Sequence, residues 1–279
     1  MKTALIVCSI VLLSLSVLFF AYLMIIMPSK KKREEMKKYK GAKFAHRGLH
    51  NAERAENSMS AFAAAVEAGY GIELDIRLSL DGELVVFHDD TLERVTEEEG
   101  RVDSKTAAEL AEIKLCGTND GIPTFREVLE LVGGRVPLLV EIKEDAYKYG
   151  VTEKAAEILA DYDGEYIVES FNPLSITRFR QLVPGIPTGL LCTNYLREKK
   201  YRKIMYFALQ NMLLNFRCRP DFIAYNHSEW RNAAISLVRF FFSKTPLFCW
   251  TLRSAEEERQ AAEHGFTGFI FENYESELK

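Results

Sequence analysis

From Ala4 to Met27 the chain runs for 24 residues without a charge and is rich in Leu, Ile, Val and Phe. At about 1.5 Å of rise per residue, such a helix crosses the roughly 30 Å apolar core of a bilayer. A cleaved signal peptide has a shorter apolar region of about 7 to 15 residues and ends at small residues. Tyr22-Leu-Met-Ile-Ile-Met27 lacks that ending, so residues 1–28 read as a transmembrane anchor. Beyond residue 41 the pattern changes. Short β-branched and aromatic runs recur between helical patterns, at Lys43–His46, Ile72–Arg77, Leu138–Ile142, Tyr166–Phe171, Pro187–Leu191, Phe222–Asn226, Leu247–Thr251 and Gly268–Phe271. Eight such runs predict an α/β fold, a (β/α)8 TIM barrel over residues 42–279.

A ninth run, Glu83–His88, follows the second after Leu80-Asp81-Gly82, where Asp-Gly signals a hairpin. The stretch from Asp89 to Gly121 lacks a barrel strand but holds the helix formers Ala107–Glu112. It predicts a small insertion over about 80–121, on the C-terminal face. Helices are expected at Glu56–Glu67, stopped by Gly69, and at Phe125–Val132, stopped by Gly133-Gly134. A doubly wound open sheet alternates in the same way, and the polar residues decide between the two. His46, Glu73 with Asp75, Glu141 with Lys143, and Trp250 each lie in or just after a different apolar run, as a barrel mouth requires.

Charge is divided along the chain. Residues 30 to 40 carry seven basic and two acidic side chains, whereas residues 41 to 279 carry 28 basic and 38 acidic ones. The acidic body argues against nucleic acid as a partner. The basic neck, residues 29–41, needs no role beyond flanking a span, although it could also meet anionic headgroups. Lys2 alone precedes the span, so the positive-inside bias predicts a single-pass protein of the cell membrane with the body that follows the neck in the cytoplasm. Five cysteines without C-x-x-C spacing indicate a reducing compartment and no zinc site.

Phe44-Ala-His46-Arg47-Gly48 ends the first strand with a histidine and an arginine where the chain must turn. Glu73 and Asp75 are spaced i, i+2, so on a strand both carboxylates face the same way and call for a cation. Glu141, in an otherwise apolar run, supplies a third. Three oxygen ligands without a thiolate favour magnesium or calcium over zinc. The alternative is a structural salt-bridge network with Arg47, Arg77 and Lys143, which rarely stabilises much. His88 ends the hairpin run and with His46 forms a candidate acid and base pair, because imidazole changes charge near neutral pH. Trp250 serves either as core filler or as a wall for an apolar or glycerol group. His50, His227 and His264 belong to no motif.

In that order, His46-Arg47-Gly48, Glu56-Asn57, Glu73-x-Asp75, Asp81-Gly82, His88-Asp89 and Glu141-x-Lys143 resemble the signature of glycerophosphodiester phosphodiesterases. The resemblance runs from about residue 43 to 274 and takes in Asp90–Thr96, Ile122–Phe125, Ser170–Pro173 and Trp250-Thr251. It implies a barrel with an insertion after the second strand and one Mg²⁺ or Ca²⁺ held at Glu73, Asp75 and Glu141. It also implies catalysis by His46 and His88, with the phosphate gripped by Arg47 and Lys143. Two segments depart from the family's pattern: Trp250-Thr-Leu-Arg253 stands for Trp-Thr-Val-Asn, and Phe269-Ile-Phe-Glu-Asn273 for Ile-Ile-Thr-Asp. On the sequence these bear on substrate identity rather than catalysis.

The expected reaction is hydrolysis of a glycerophosphodiester to glycerol 3-phosphate and an alcohol. A lysophospholipase D acting on lysophospholipids is the runner-up, suggested by the anchor and by the mixed Lys, Arg, Tyr, Phe and Leu of Leu196–Phe216. A non-catalytic membrane-tethered barrel is the third reading, and the retained histidines and carboxylates speak against it.

Overall fold

The apolar runs become strands whose alternate side chains point to opposite faces, and closing them into a ring buries both faces. In the computed structural model, residues 2–145, 149–197, 204–274 and 276 are described. Eight parallel strands, β1 (Ala42–His46), β2 (Gly71–Leu78), β4 (Leu138–Ile142), β5 (Tyr166–Ser170), β6 (Thr188–Cys192), β7 (Phe222–Asn226), β8 (Leu247–Leu252) and β9 (Gly268–Phe271), form a closed barrel, with β1 pairing both β9 and β2. The short β3 (Leu84–Val86) pairs antiparallel with β2 and leaves the barrel, as the Asp81-Gly82 turn predicts. The insertion behind it has a core of its own, built from Val85, Phe87, Leu92, Val102, Leu110 and their neighbours around α4 (Ala107–Glu112).

Helices α3 (Met59–Ala68), α5 (Phe125–Val132), α6 (Gly150–Leu159), α7 (Pro173–Leu182), α10 (Ala233–Phe241) and α11 (Ala255–Glu263) surround the strands. Helix α5 begins with a capping box between Thr124 and Glu127 and ends at Gly133 in the left-handed region. Helix α3 ends at Gly69 as expected but begins three residues later than its sequence pattern suggests. Ser58 caps it by accepting from the Ala61 amide, while Asn57 takes φ 55 and turns its amide towards Asp75. Glu56 and Asn57 therefore serve the barrel mouth rather than the helix.

The N-terminal helix α1 (Lys2–Ile26) is long and apolar enough to cross a membrane, and most of it projects exposed. Its last turns do not. Leu23 and Ile26 are buried against the body, Tyr22 donates to the Asn211 carbonyl, and Asn215 donates to that of Ile26. Asn215 lies in α9 (Asn215–Cys218), which with α8 (Ile204–Gln210) occupies the connection from β6 to β7. The neck, which on the sequence needs no role beyond flanking a span, has a structural one. Beside the short α2 (Arg33–Met36), Met36 and Tyr39 are buried among Phe44, Leu139, Ile167, Phe222 and Phe248 inside the barrel.

Candidate active site

Strand register brings the polar residues together. His46 pairs with Glu73, Asp75 with Glu141, and Glu141 with Glu169 across neighbouring strands. Their side chains meet at the C-terminal mouth around a cavity of about 220 Å³, lined by His46, Arg47, Glu73, His88, Glu141, Lys143, Glu169, Phe171 and Trp250, among others.

The first strand ends in a turn that needs a glycine at position 48. Arg47 takes φ 56, and Gly48 takes φ 83 where a Cβ would lie 2.9 Å from Ala61. This turn aims the Arg47 amide at Glu73 Oε2 (3.0 Å) and its guanidinium at Glu56 (2.7 Å) and Asp75 (3.4 Å). Arg94, from the insertion, grips the same Glu56 through two bonds and also pairs with Asp89.

Both histidines are oriented through Nδ1. His46 Nδ1 lies 2.5 Å from Glu272 Oε2, and His88 Nδ1 lies 2.7 Å from Asp89 Oδ1. A carboxylate at Nδ1 favours the tautomer with its proton there and frees Nε2 for chemistry. Burial lowers the pKa of both rings. For His46 the Glu272 bond opposes the shift, and for His88 burial, with help from Lys143 and Arg47, brings the value down to about 4.

One ligand atom each from Glu73, Asp75 and Glu141 lies within 4.8 Å of the others, and all three residues are buried. Burial, reinforced by Asp75 and Glu141, pushes the Glu73 carboxyl well up, and burial takes Glu141 up to about 7 against the pull of Lys143. Asp75 goes the other way. Burial would raise it, but Lys143, His88, Arg47 and the Asn57 amide together hold it well below the usual range. Lys143 Nζ reaches Asp75 at 3.0 Å and Glu141 at 2.6 Å. Arg77 does not join this network; it pairs with Asp90. The salt-bridge alternative thus holds for Lys143 and Arg47, and one lysine leaves Glu73 without its own cation. A buried, all-oxygen triad in which Asp75 raises the pKa of both glutamates fits a hard divalent ion.

Three groups that sequence reasoning passed over also belong here. Glu169 is buried at the mouth with no hydrogen-bond partner for Oε2 among the described residues, and burial raises its pKa well above the usual carboxyl range. Asp89 and Glu272 orient the histidines. Glu272 corrects the reading of the last departure as one of substrate identity alone, since the altered segment touches His46 itself. Its place at the end of a barrel strand was the available signal. His50 approaches the same Glu272 at 3.7 Å. Trp250 packs edge-on against Phe171, 5.5 Å between centroids, and lines the cavity with its Nε1 unpaired. By contrast, His227 faces Glu257 and His264 stacks on Trp230, both away from the cavity lining. All five cysteines are free thiols.

Residues 46–276 match the model of the glycerophosphoryl diester phosphodiesterase family. A glycerophosphodiester phosphodiesterase of Caldanaerobacter subterraneus is 31% identical over 257 residues, covering 83% of this chain and 94% of that one. A putative glycerophosphodiester phosphodiesterase of Bacillus subtilis is 27% identical, covering 81% and 92%. Among solved structures, an Oleispira antarctica phosphodiesterase in complex with the product sn-glycerol-3-phosphate superposes with TM-score 0.70 at 21% identity, over 85% of this chain and 95% of that one. The Thermotoga maritima glycerophosphodiester phosphodiesterase superposes with TM-score 0.64 at 29% identity, over 82% and 93%.

Proposed function

This chain belongs to the glycerophosphoryl diester phosphodiesterase family, and from that premise we propose that it cleaves glycerophosphodiesters to glycerol 3-phosphate and an alcohol, with His46 and His88 as proton carriers beside a divalent cation. The observation that carries this reading is the meeting of three buried carboxylates from adjacent strands with two carboxylate-oriented histidines in one cavity. The product seen in the Oleispira antarctica relative supports glycerol 3-phosphate as the released phosphate.

Glu73, Asp75 and Glu141 would hold Mg²⁺ or Ca²⁺, which when bound offsets the negative charge that grows on the phosphate oxygens. Arg47, fixed by Glu56 and Asp75, and Lys143 would bind the phosphate and offset the same charge. Burial keeps both imidazoles neutral at pH 7, so one is ready to take the nucleophile's proton. The anionic phosphate favours the charged form of the other, which delivers a proton to the leaving alkoxide. Trp250 and Phe171 form the apolar wall.

The test is a panel of glycerophosphodiesters and lysophospholipids assayed after chelation and again with each metal restored. Activity should vanish in chelator, return with Mg²⁺ or Ca²⁺, and need more metal in Glu73→Gln, Asp75→Asn or Glu141→Gln, each of which removes an anionic ligand. Full turnover by the metal-free protein would sink the site.

A second substrate reading rests on an aromatic run. Trp250 meets Phe171, Phe171 meets Tyr195 at 6.2 Å, and Tyr195 meets Tyr206 on α8 at 5.5 Å. That track suits the acyl chain of a lysophospholipid. Part of the stretch that suggested this substrate, residues 198–203, lies outside the described residues. We further propose that α1 anchors the protein in the cell membrane as a single span, followed by the neck and the barrel. The basic residues after the span against Lys2 before it favour a cytoplasmic body. Protease should then cut the body in inverted vesicles and spare it in intact cells; the reverse pattern would overturn the orientation.

A further inference from the structure

Helix α1 touches three neighbours where it meets the body, and each of them exposes a phenylalanine next to the contact. Phe19 packs on Phe241 of α10, beside Phe240, which is 79% exposed. Tyr22 bonds to Asn211, whose own amide groups bond to the carbonyl of exposed Phe207 one turn earlier, at α8. Asn215 of α9 bonds to Ile26 and precedes exposed Phe216. Ile204, 86% exposed, and Met205 extend the apolar surface of α8. Large apolar side chains exposed on three neighbours of one apolar helix mark an interaction surface.

The rim is basic. Lys30 and Lys31 lie four and five residues beyond the end of α1, Arg217 adjoins Phe216, and Lys244 follows α10, all exposed. The side chain of Met24, one residue from docked Leu23, is also exposed, so the apolar surface of α1 continues without a polar gap to the body. Taking α1 as the membrane span, as above, we propose that the barrel itself rests on the bilayer through this collar of α8, α9 and α10. The phenylalanines enter the headgroup and upper acyl region, and the lysines and arginine meet anionic lipid phosphates. Apolar side chains ringed by cations are what an interfacial segment presents to a lipid surface. Continuity with α1 and the charge of the rim favour lipid over a second copy or a soluble partner. Helix α8 carries both Phe207 of the collar and Tyr206 of the aromatic run, so the collar lies beside one route into the mouth.

The experiment uses the full chain with exposed Cys8 and Cys116 replaced by serine, in vesicles of phosphatidylcholine and phosphatidylglycerol. A polarity-sensitive fluorophore is placed singly through Phe207→Cys, Phe240→Cys, Leu12→Cys or Leu80→Cys, and lipids brominated near the top of the acyl chains are added as quenchers. Labels at 12, 207 and 240 should shift to the blue and be quenched. The label at 80, in the hairpin on the opposite side of the barrel, should stay in water. A quenched label at 12 with unquenched labels at 207 and 240 would overturn the collar and leave the anchor standing. Blue-shifted labels at 207 and 240 that bromine does not quench would mean a protein partner or a second copy, and overturn it too. An unquenched label at 12 would remove the anchor itself and with it the premise of the collar.

Discussion

Stepping two residues towards the C-terminal end of a strand exchanges an apolar inner side chain for a polar one four times around the barrel. Phe44 gives way to His46, Leu139 to Glu141, Ile167 to Glu169 and Ile270 to Glu272. The lower layer, closed from below by Met36 and Tyr39, is dry and packed, and each fully buried large side chain there contributes about 1.5 to 3 kcal/mol. The upper layer buries four carboxylates, two of them driven far above their ordinary pKa. One end of the barrel supplies stability and the other consumes some of it to hold charged groups out of water. Strand rigidity lets the two lie side by side.

The sharpest way to break that comparison is within one strand. His46→Ala should lower turnover by about 10² to 10⁴, the usual contribution of a proton carrier, and leave the chain folded, and His88→Ala should match it. Steady-state kinetics beside a circular dichroism melt would check both, and near-normal turnover in either variant would remove that histidine from the mechanism. Phe44→Ala, on the same inner face, should do the opposite. Losing a buried phenylalanine costs about 3 to 5 kcal/mol, a fall in Tm on the order of 10 °C, with turnover near normal at a temperature where the variant is folded. A stable Phe44→Ala variant with poor turnover would mean that the two layers are not separable.

The smallest effect sharpens the contrast through pH. The folded pKa of Glu169 is raised, so its favourable contribution is complete below the unfolded value and is lost as pH rises through the folded one. In metal-free protein, Glu169→Gln should therefore gain stability relative to the parent as pH goes from about 5 to about 8, by a few degrees in Tm. A difference in Tm that is flat with pH would show that the carboxyl ionises in the fold as it does in the unfolded chain.

The eight strands, the hairpin and the carboxylate triad were legible because each depends on local spacing. Period-two alternation buries a strand, Asp81-Gly82 turns it back, and the i, i+2 placement of Glu73 and Asp75 sends both carboxylates to one face. The family resemblance added an order of motifs that no single spacing provides. What only the tertiary structure decided lies in contacts between distant segments. Glu272 orients His46 across 226 residues of sequence, Arg94 steadies Glu56 across 38, and Asn57 leaves its helix to reach Asp75. Met36 and Tyr39, which look like part of a charged linker, close the barrel floor. Which side chains share a low-dielectric cavity, and therefore which pKa values move, depends on strand register and closure. Those are properties of the folded ring, and no window along the chain contains them.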